Sequence, residues 1–218
     1  MAAFDDRITR GNGLMRTEPG FGGHIHRILQ RRGNWSMGAE LSASAAGGVR
    51  GDTPWTWTTT VSGTYYFSDA LNLLLQAGRT SSQEFLVWQQ DNLVGGFRMA
   101  RQNLNASLNW NIGSRQELRV KLEALGLNAD NPEAWRIGAD GRAVASNDNV
   151  QPFSLRNMGF QVRYRYELAP LSDLYVVYGR GGYSSDNFAA GPASQFRDAF
   201  SLRDDEQLLI KLAYRFEL

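Results

Sequence analysis

Hydrophobic and polar residues alternate along this chain with a period of two. In residues 34–45, Trp35, Met37, Ala39, Leu41, Ala43 and Ala45 interleave without a break with Asn34, Ser36, Gly38, Glu40, Ser42 and Ser44. That period belongs to a strand with one face in an apolar phase and the other in a polar one. The same alternation predicts strands over residues 55–67, 71–77, 103–112, 117–124 and 160–168, and over 208–218 at the end of the sequence. Residues 21–30 make a weaker candidate, and residues 174–178 are apolar on both faces, so their orientation is not readable.

The connections alternate as well. Short turn clusters stand at 31–34, 67–70, 113–116 and 169–173, and longer stretches at 46–54, 78–97, 126–153 and 179–204. In an antiparallel up-and-down meander this order puts every tight turn at one end and every long loop at the other, the arrangement of membrane barrels. The expected fold is therefore all-β, a meander of about nine strands forming part of a transmembrane β-barrel. Trp35, Tyr65, Phe67, Trp110, Tyr164, Tyr166, Tyr214 and Phe216 sit near the tight-turn ends, and Trp55 and Trp57 near a long-loop end. Amphipathic rings at both strand ends suit two membrane interfaces. A soluble sandwich would bury its aromatics in mid-strand.

Composition narrows the classes. The sequence has 218 residues and a net charge of +1, with arginines scattered, which leaves no basic patch for nucleic acid. It has no cysteine, hence no disulfide framework and no thiolate metal site. No apolar run approaches the roughly 18 residues of a spanning helix. A mean hydropathy of −0.40 is compatible with barrel strands, whose inward half is polar. The start, Met-Ala-Ala-Phe-Asp-Asp-Arg, is not a secretory signal. With an odd strand count, this leads us to expect that residues 1–218 are a single domain, the carboxy-terminal portion of a larger outer-membrane barrel lacking its amino-terminal strands and signal peptide.

Candidate chemistry is sparse. His24 and His26 have a chelating spacing without a visible third ligand. Asp5 and Asp6, and Asp204, Asp205 and Glu206, read as solvated loop acids, since glycoside hydrolysis needs two carboxyls held apart across a cleft. The loop 128–150 lacks the ligand spacing of an EF-hand, and Gly179-Arg180-Gly181-Gly182 lacks a Walker lysine, so its glycines are expected to end or bend a strand. We expect no catalytic, cofactor or metal site, and no enzyme.

The closing strand resembles that of an outer-membrane barrel. Lys211, Ala213, Tyr214, Phe216 and Leu218 match, with Ala213 for the usual glycine and Leu218 for the usual phenylalanine, the terminal signal read by the barrel-assembly machinery. Together with residues 6–11, 115–122 and 163–178, this strand resembles the carboxy-terminal barrel of a bacterial envelope family of unknown function. Full-length members of that family carry an amino-terminal domain like the family-nine carbohydrate-binding modules. The resemblance implies a Gram-negative outer-membrane location, lipid and the assembly machinery as partners, and glycans only through the missing domain. It carries over no catalytic residue. The expected role is transport, surface display or anchoring of a soluble domain. The rival reading is a secreted or periplasmic carbohydrate-binding or carbohydrate-active sandwich that uses Trp55, Trp57, Trp88 and Trp135.

Overall fold

The computed structural model describes residues 3–45, 48–49 and 53–216. A short hairpin, β1 (Ala3–Asp5) with β2 (Met15–Thr17), precedes one large antiparallel sheet. The sheet contains β3 (Phe21–Arg32), β4 (Trp35–Ala45), β5 (Trp55–Tyr66), β6 (Leu71–Gln90), β7 (Leu93–Ile112), β8 (Gln116–Ile137), β10 (Phe153–Ala169), β11 (Ser172–Asp186) and β12 (Asp205–Ala213). These nine strands pair in chain order, and β9 (Ala143–Ser146) folds back onto β8. The one helix among the described residues, α1 (Pro192–Ala199), lies between β11 and β12.

The meander is thus as expected, with the tight turns at 33–34, 67–70, 113–115 and 170–171 all at one end. Three of them use a left-handed residue, and Gly33 adopts φ +59 in the first. Gly113 adopts φ +64 at no steric cost, and Leu171 adopts φ +63 at the cost a side chain incurs there.

Three expectations about the other end are corrected. Residues 78–97 are not a loop: β6 and β7 run on through them, 20 residues each, and turn at Asp91 and Asn92. Bulges between Ser82 and Phe85 and between Trp88 and Gln90 break the period there, and that hides the strand from a pattern count. β8 likewise runs 22 residues, into the stretch expected as loop 126–153. Nor do the glycines at 179–182 end a strand. β11 continues to Asp186, and the pairing passes Gly181 so close to Met158 that a β-carbon would stand 2.8 Å from its carbonyl oxygen.

A strand of about 10 residues suffices to cross a bilayer, so β6, β7 and β8 project well beyond that length at the long-loop end. There they acquire a core of their own. On one face Phe97, Leu93, Met99, Leu127 and Ala129 are buried with Val150, and Phe97 meets Phe153 edge-on at 5.2 Å. On the other face Met15, Val94 and Ile137 pack with Ile8, Leu86 and Val49, so the amino-terminal hairpin covers the strand tips.

Candidate functional site

Register is what makes the two faces of the sheet chemically different. The ladders place Leu73 opposite Leu108 and Tyr65, Leu108 opposite Val120, Val120 opposite Val162, and Val162 opposite Tyr178, which faces Leu208. Apolar sets on separate strands therefore merge into one continuous band. Many of its members are open to the surroundings: Val61 is 51 % exposed, Leu75 48 % and Ile210 65 %. The reading of residues 174–178 is now fixed, with Leu174, Val176 and Tyr178 in the band and Tyr175 and Val177 on the opposite face.

The band is not parallel to the hydrogen-bonded rows. On β3 it is centred near Ile25, whose row reaches Arg79 on β6; on β12 it is centred near Ile210, whose row reaches Leu71. Those two β6 residues are eight apart, and eight strand-to-strand steps separate β3 from β12. The intermediate strands fall on the line, with centres near Val61 on β5, Ala106 on β7 and Val162 on β10. A drift of one residue per strand, about 3.3 Å of rise against about 4.8 Å of spacing, is a slope of about 35°. A level apolar belt crossed by strands tilted that much has this form.

The predicted aromatics border the band at the tight-turn end. Trp35 pairs with Tyr65 at 4.5 Å between rings, Tyr65 meets Phe67 at 4.7 Å, and Trp110 lies in the row of Leu71 and Leu118. Tyr164 donates its hydroxyl hydrogen to Gln116 Oε1 at 2.8 Å, and Tyr166 faces Leu174. At the closing end, Lys211 faces Tyr175 on the opposite surface and Ala213 is the last residue of β12. Tyr214 and Phe216 follow in no strand, with rings 4.9 Å apart, while Leu218 lies outside the described residues. The Arg215 amide, which donates to Ser172 Oγ at 3.0 Å, ties this tail to the last tight turn.

Arginine interrupts the band. Arg27 faces it from the edge strand β3, opposite Ala39, and is exposed. The opposite surface is largely polar in its middle, apart from Ile28, Leu74, Val177 and Leu209, and not uniformly so. Ser, Thr, Asn and Gln dominate β4 to β7, whereas Glu117, Arg119, Lys121, Glu123, Arg163 and Arg165 charge β8 and β10. His24 and His26 lie on this surface with rings stacked at 5.8 Å; among the described residues no group of three or more ligating side chains could hold a metal.

Sequence reasoning missed α1. A proline at its first turn is the readable start signal. The segment folds down onto the band face, where Phe196, Ala199 and Leu202 cover Ala124 and Met158. Arg156 holds it with hydrogen bonds to Gln195 Oε1 (3.0 Å) and Asp186 Oδ2 (2.9 Å). Arg180 also donates to the carbonyls of Phe200 and Leu202.

At the strand tips Arg136 grips both oxygens of Asp148, at 2.7 and 2.8 Å, and donates to Asn92 Oδ1 at 2.9 Å. The guanidinium, helped by the Ser146 hydroxyl, holds the Asp148 carboxyl below its ordinary range. Trp88 and Trp135 also belong to these tips: Trp88 donates to the Asp91 carbonyl beneath Arg10, and Trp135 lies against Gly96. They are not grouped with Trp55 and Trp57, which stack on the band face.

No protein-family model, curated protein or solved structure matches this chain.

Proposed function

We propose that this chain is a wall segment of a transmembrane β-barrel in the bacterial outer membrane, with a role in transport, surface display or anchoring, and without catalytic chemistry. The observation that carries the reading is the tilted apolar band. Nine strands at about 4.8 Å, with a band about 25 Å tall, present on the order of 1,000 Å² of apolar surface on one side, above the 300–600 Å² typical of the largest patch on a soluble monomer. Lipid is the partner that such a face fits.

Both edges of the sheet are open among the described residues, since β3 pairs only with β4 and β12 only with β11. With nine strands in the meander these two edges run in the same direction. Antiparallel closure then takes an odd number of further strands, giving the even total usual for such barrels. We accordingly read the chain as the carboxy-terminal part of a larger barrel of the envelope family it resembles, inserted by the barrel-assembly machinery through Lys211, Ala213, Tyr214, Phe216 and Leu218.

Expression of the chain with and without detergent tests this. The reading predicts inclusion bodies that refold only in micelles or vesicles, with heat-modifiable migration on a gel. A soluble, monodisperse product that binds polysaccharide would establish the carbohydrate-binding alternative instead.

A further inference from the structure

The band face carries a built feature where its apolar part ends on the long-loop side. Two strands, β6 and β7, form a floor there between two walls. On one side stand Trp55 and Trp57 of β5, stacked at 5.8 Å. On the other stands α1, which contacts β7 as well as β8 and β10. The floor between them is made of small or polar residues: Thr59, Arg79 and Gln102 share one row, and Trp57, Ser81 and Ala100 the next. Three strand spacings make the trough about 14 Å wide.

Two guanidinium groups rise from this floor. Arg79 and Arg98 both face the band side and are exposed, and neither forms an ion pair or hydrogen bond among the described residues. Asp130 faces Arg98 across the ladder, within hydrogen-bonding reach of Asn128 Nδ2 at 3.3 Å, and does not pair with it. Directly below, toward the tight turns, the band is lined with small side chains, Gly63, Ala77 and Ala106, between Leu75 and Leu104.

Arg98 lies four residues further along β7 than Gln102, the residue opposite Arg79, so these two cations without partners stand about 13 Å apart along the strands. Above an apolar track of low relief, they complement an anionic headgroup that carries two separated phosphates and is joined to acyl chains. We propose that this trough is a docking site for the phosphate-bearing headgroup of an outer-leaflet glycolipid, with Arg79 and Arg98 pairing its phosphates and its chains lying over Ala77 and Ala106. The inference rests on the membrane reading above. Guanidinium suits phosphate because its planar donors bind two oxygens at once, and a site at the bilayer margin strengthens the pairing by excluding water.

The test uses the full chain refolded in neutral maltoside micelles. Retention of diphosphorylated lipid A, of the same lipid stripped of phosphate, and of inorganic pyrophosphate is measured by native mass spectrometry. The site predicts retention of the diphosphorylated lipid, at least tenfold weaker in the Arg79→Ser, Arg98→Ser double variant and unchanged in Arg115→Ser, which alters a tight turn at the other end. Lysine at both positions should restore part of the affinity, which separates charge from folding damage. Equal retention of the stripped lipid, pyrophosphate binding as tight as the lipid's, or an unaffected double variant would each overturn the site while leaving the barrel reading standing. Failure of the chain to enter micelles at all would remove both.

Discussion

Gly126 of β8 lies so close beneath Phe196 of α1 that no side chain fits between them: a β-carbon on Gly126 would come within 2.8 Å of the Phe196 Cα and of the Pro192 carbonyl oxygen. The helix is thus seated on the strand backbone, and a valine at Gly126 has to lift it. Overpacking of this kind costs about 1–3 kcal/mol, enough to raise the open population of the segment about fivefold to about a hundredfold. Limited trypsin digestion of the folded protein should therefore cut Gly126→Val at Arg197 or Arg203 about fivefold faster than the parent, or more. Equal rates would mean that α1 is not held at this contact.

Arg27 should be a net cost in a bilayer. It stands two residues from the band centre at Ile25, about 5 Å off the midplane at the inferred tilt. A lipid-facing arginine at that depth costs about 2 kcal/mol. Replacing it with leucine should raise the unfolding free energy in vesicles by about 1–2 kcal/mol. A loss of stability would show that Arg27 is instead paired, as it would be against an additional strand.

The Arg136 and Asp148 pair makes the long-loop end acid-sensitive. Because the folded carboxyl titrates below its unfolded value, the stability it contributes is present above about pH 3.9 and is lost as pH falls through the depressed folded value. Amides near Asn92 and residues 146–148 should gain hydrogen-exchange openings as the buffer is taken from pH 5 to pH 2.5. Asp148→Asn should show the open behaviour already at pH 5. An unchanged profile in that variant would rule the pair out as the cause.

Leu171 supplies a simpler test of the backbone. Its φ of +63 and its exposure mean that glycine relieves strain without removing packing. Leu171→Gly is expected to stabilise the refolded protein by up to about 1 kcal/mol, measured as a urea midpoint shift.

The middle of each strand was legible in the sequence because two phases of opposite polarity enforce the period there, as in residues 34–45. Beyond the band that enforcement lapses. Around Leu125, Leu127 and Ala129 the formerly polar face becomes apolar to bury against Phe97 and Val150, and bulges shift the count in β6. Hence residues 78–97 read as loop, and the exposed Arg79 and Arg98 drew no attention. The drift of the band was equally invisible, since it belongs to the register between strands and no single strand contains it. α1 escaped because eight residues carry too few turns for a helical period.

The central claim is that one face of the sheet lies in lipid with its strands tilted. The chain has no cysteine, so single cysteines carrying a nitroxide can be placed at will in the refolded, vesicle-inserted protein. Along residues 103–110 the account predicts that oxygen accessibility peaks at Leu104, Ala106 and Leu108, and that accessibility to a water-soluble nickel chelate peaks at Asn103, Asn105, Ser107 and Asn109. Depth should be greatest at Val61 on β5, Ala106 on β7 and Val162 on β10, following the drift of one residue per strand. Equal accessibility on both faces, or greatest depth along a single hydrogen-bonded row, would contradict it.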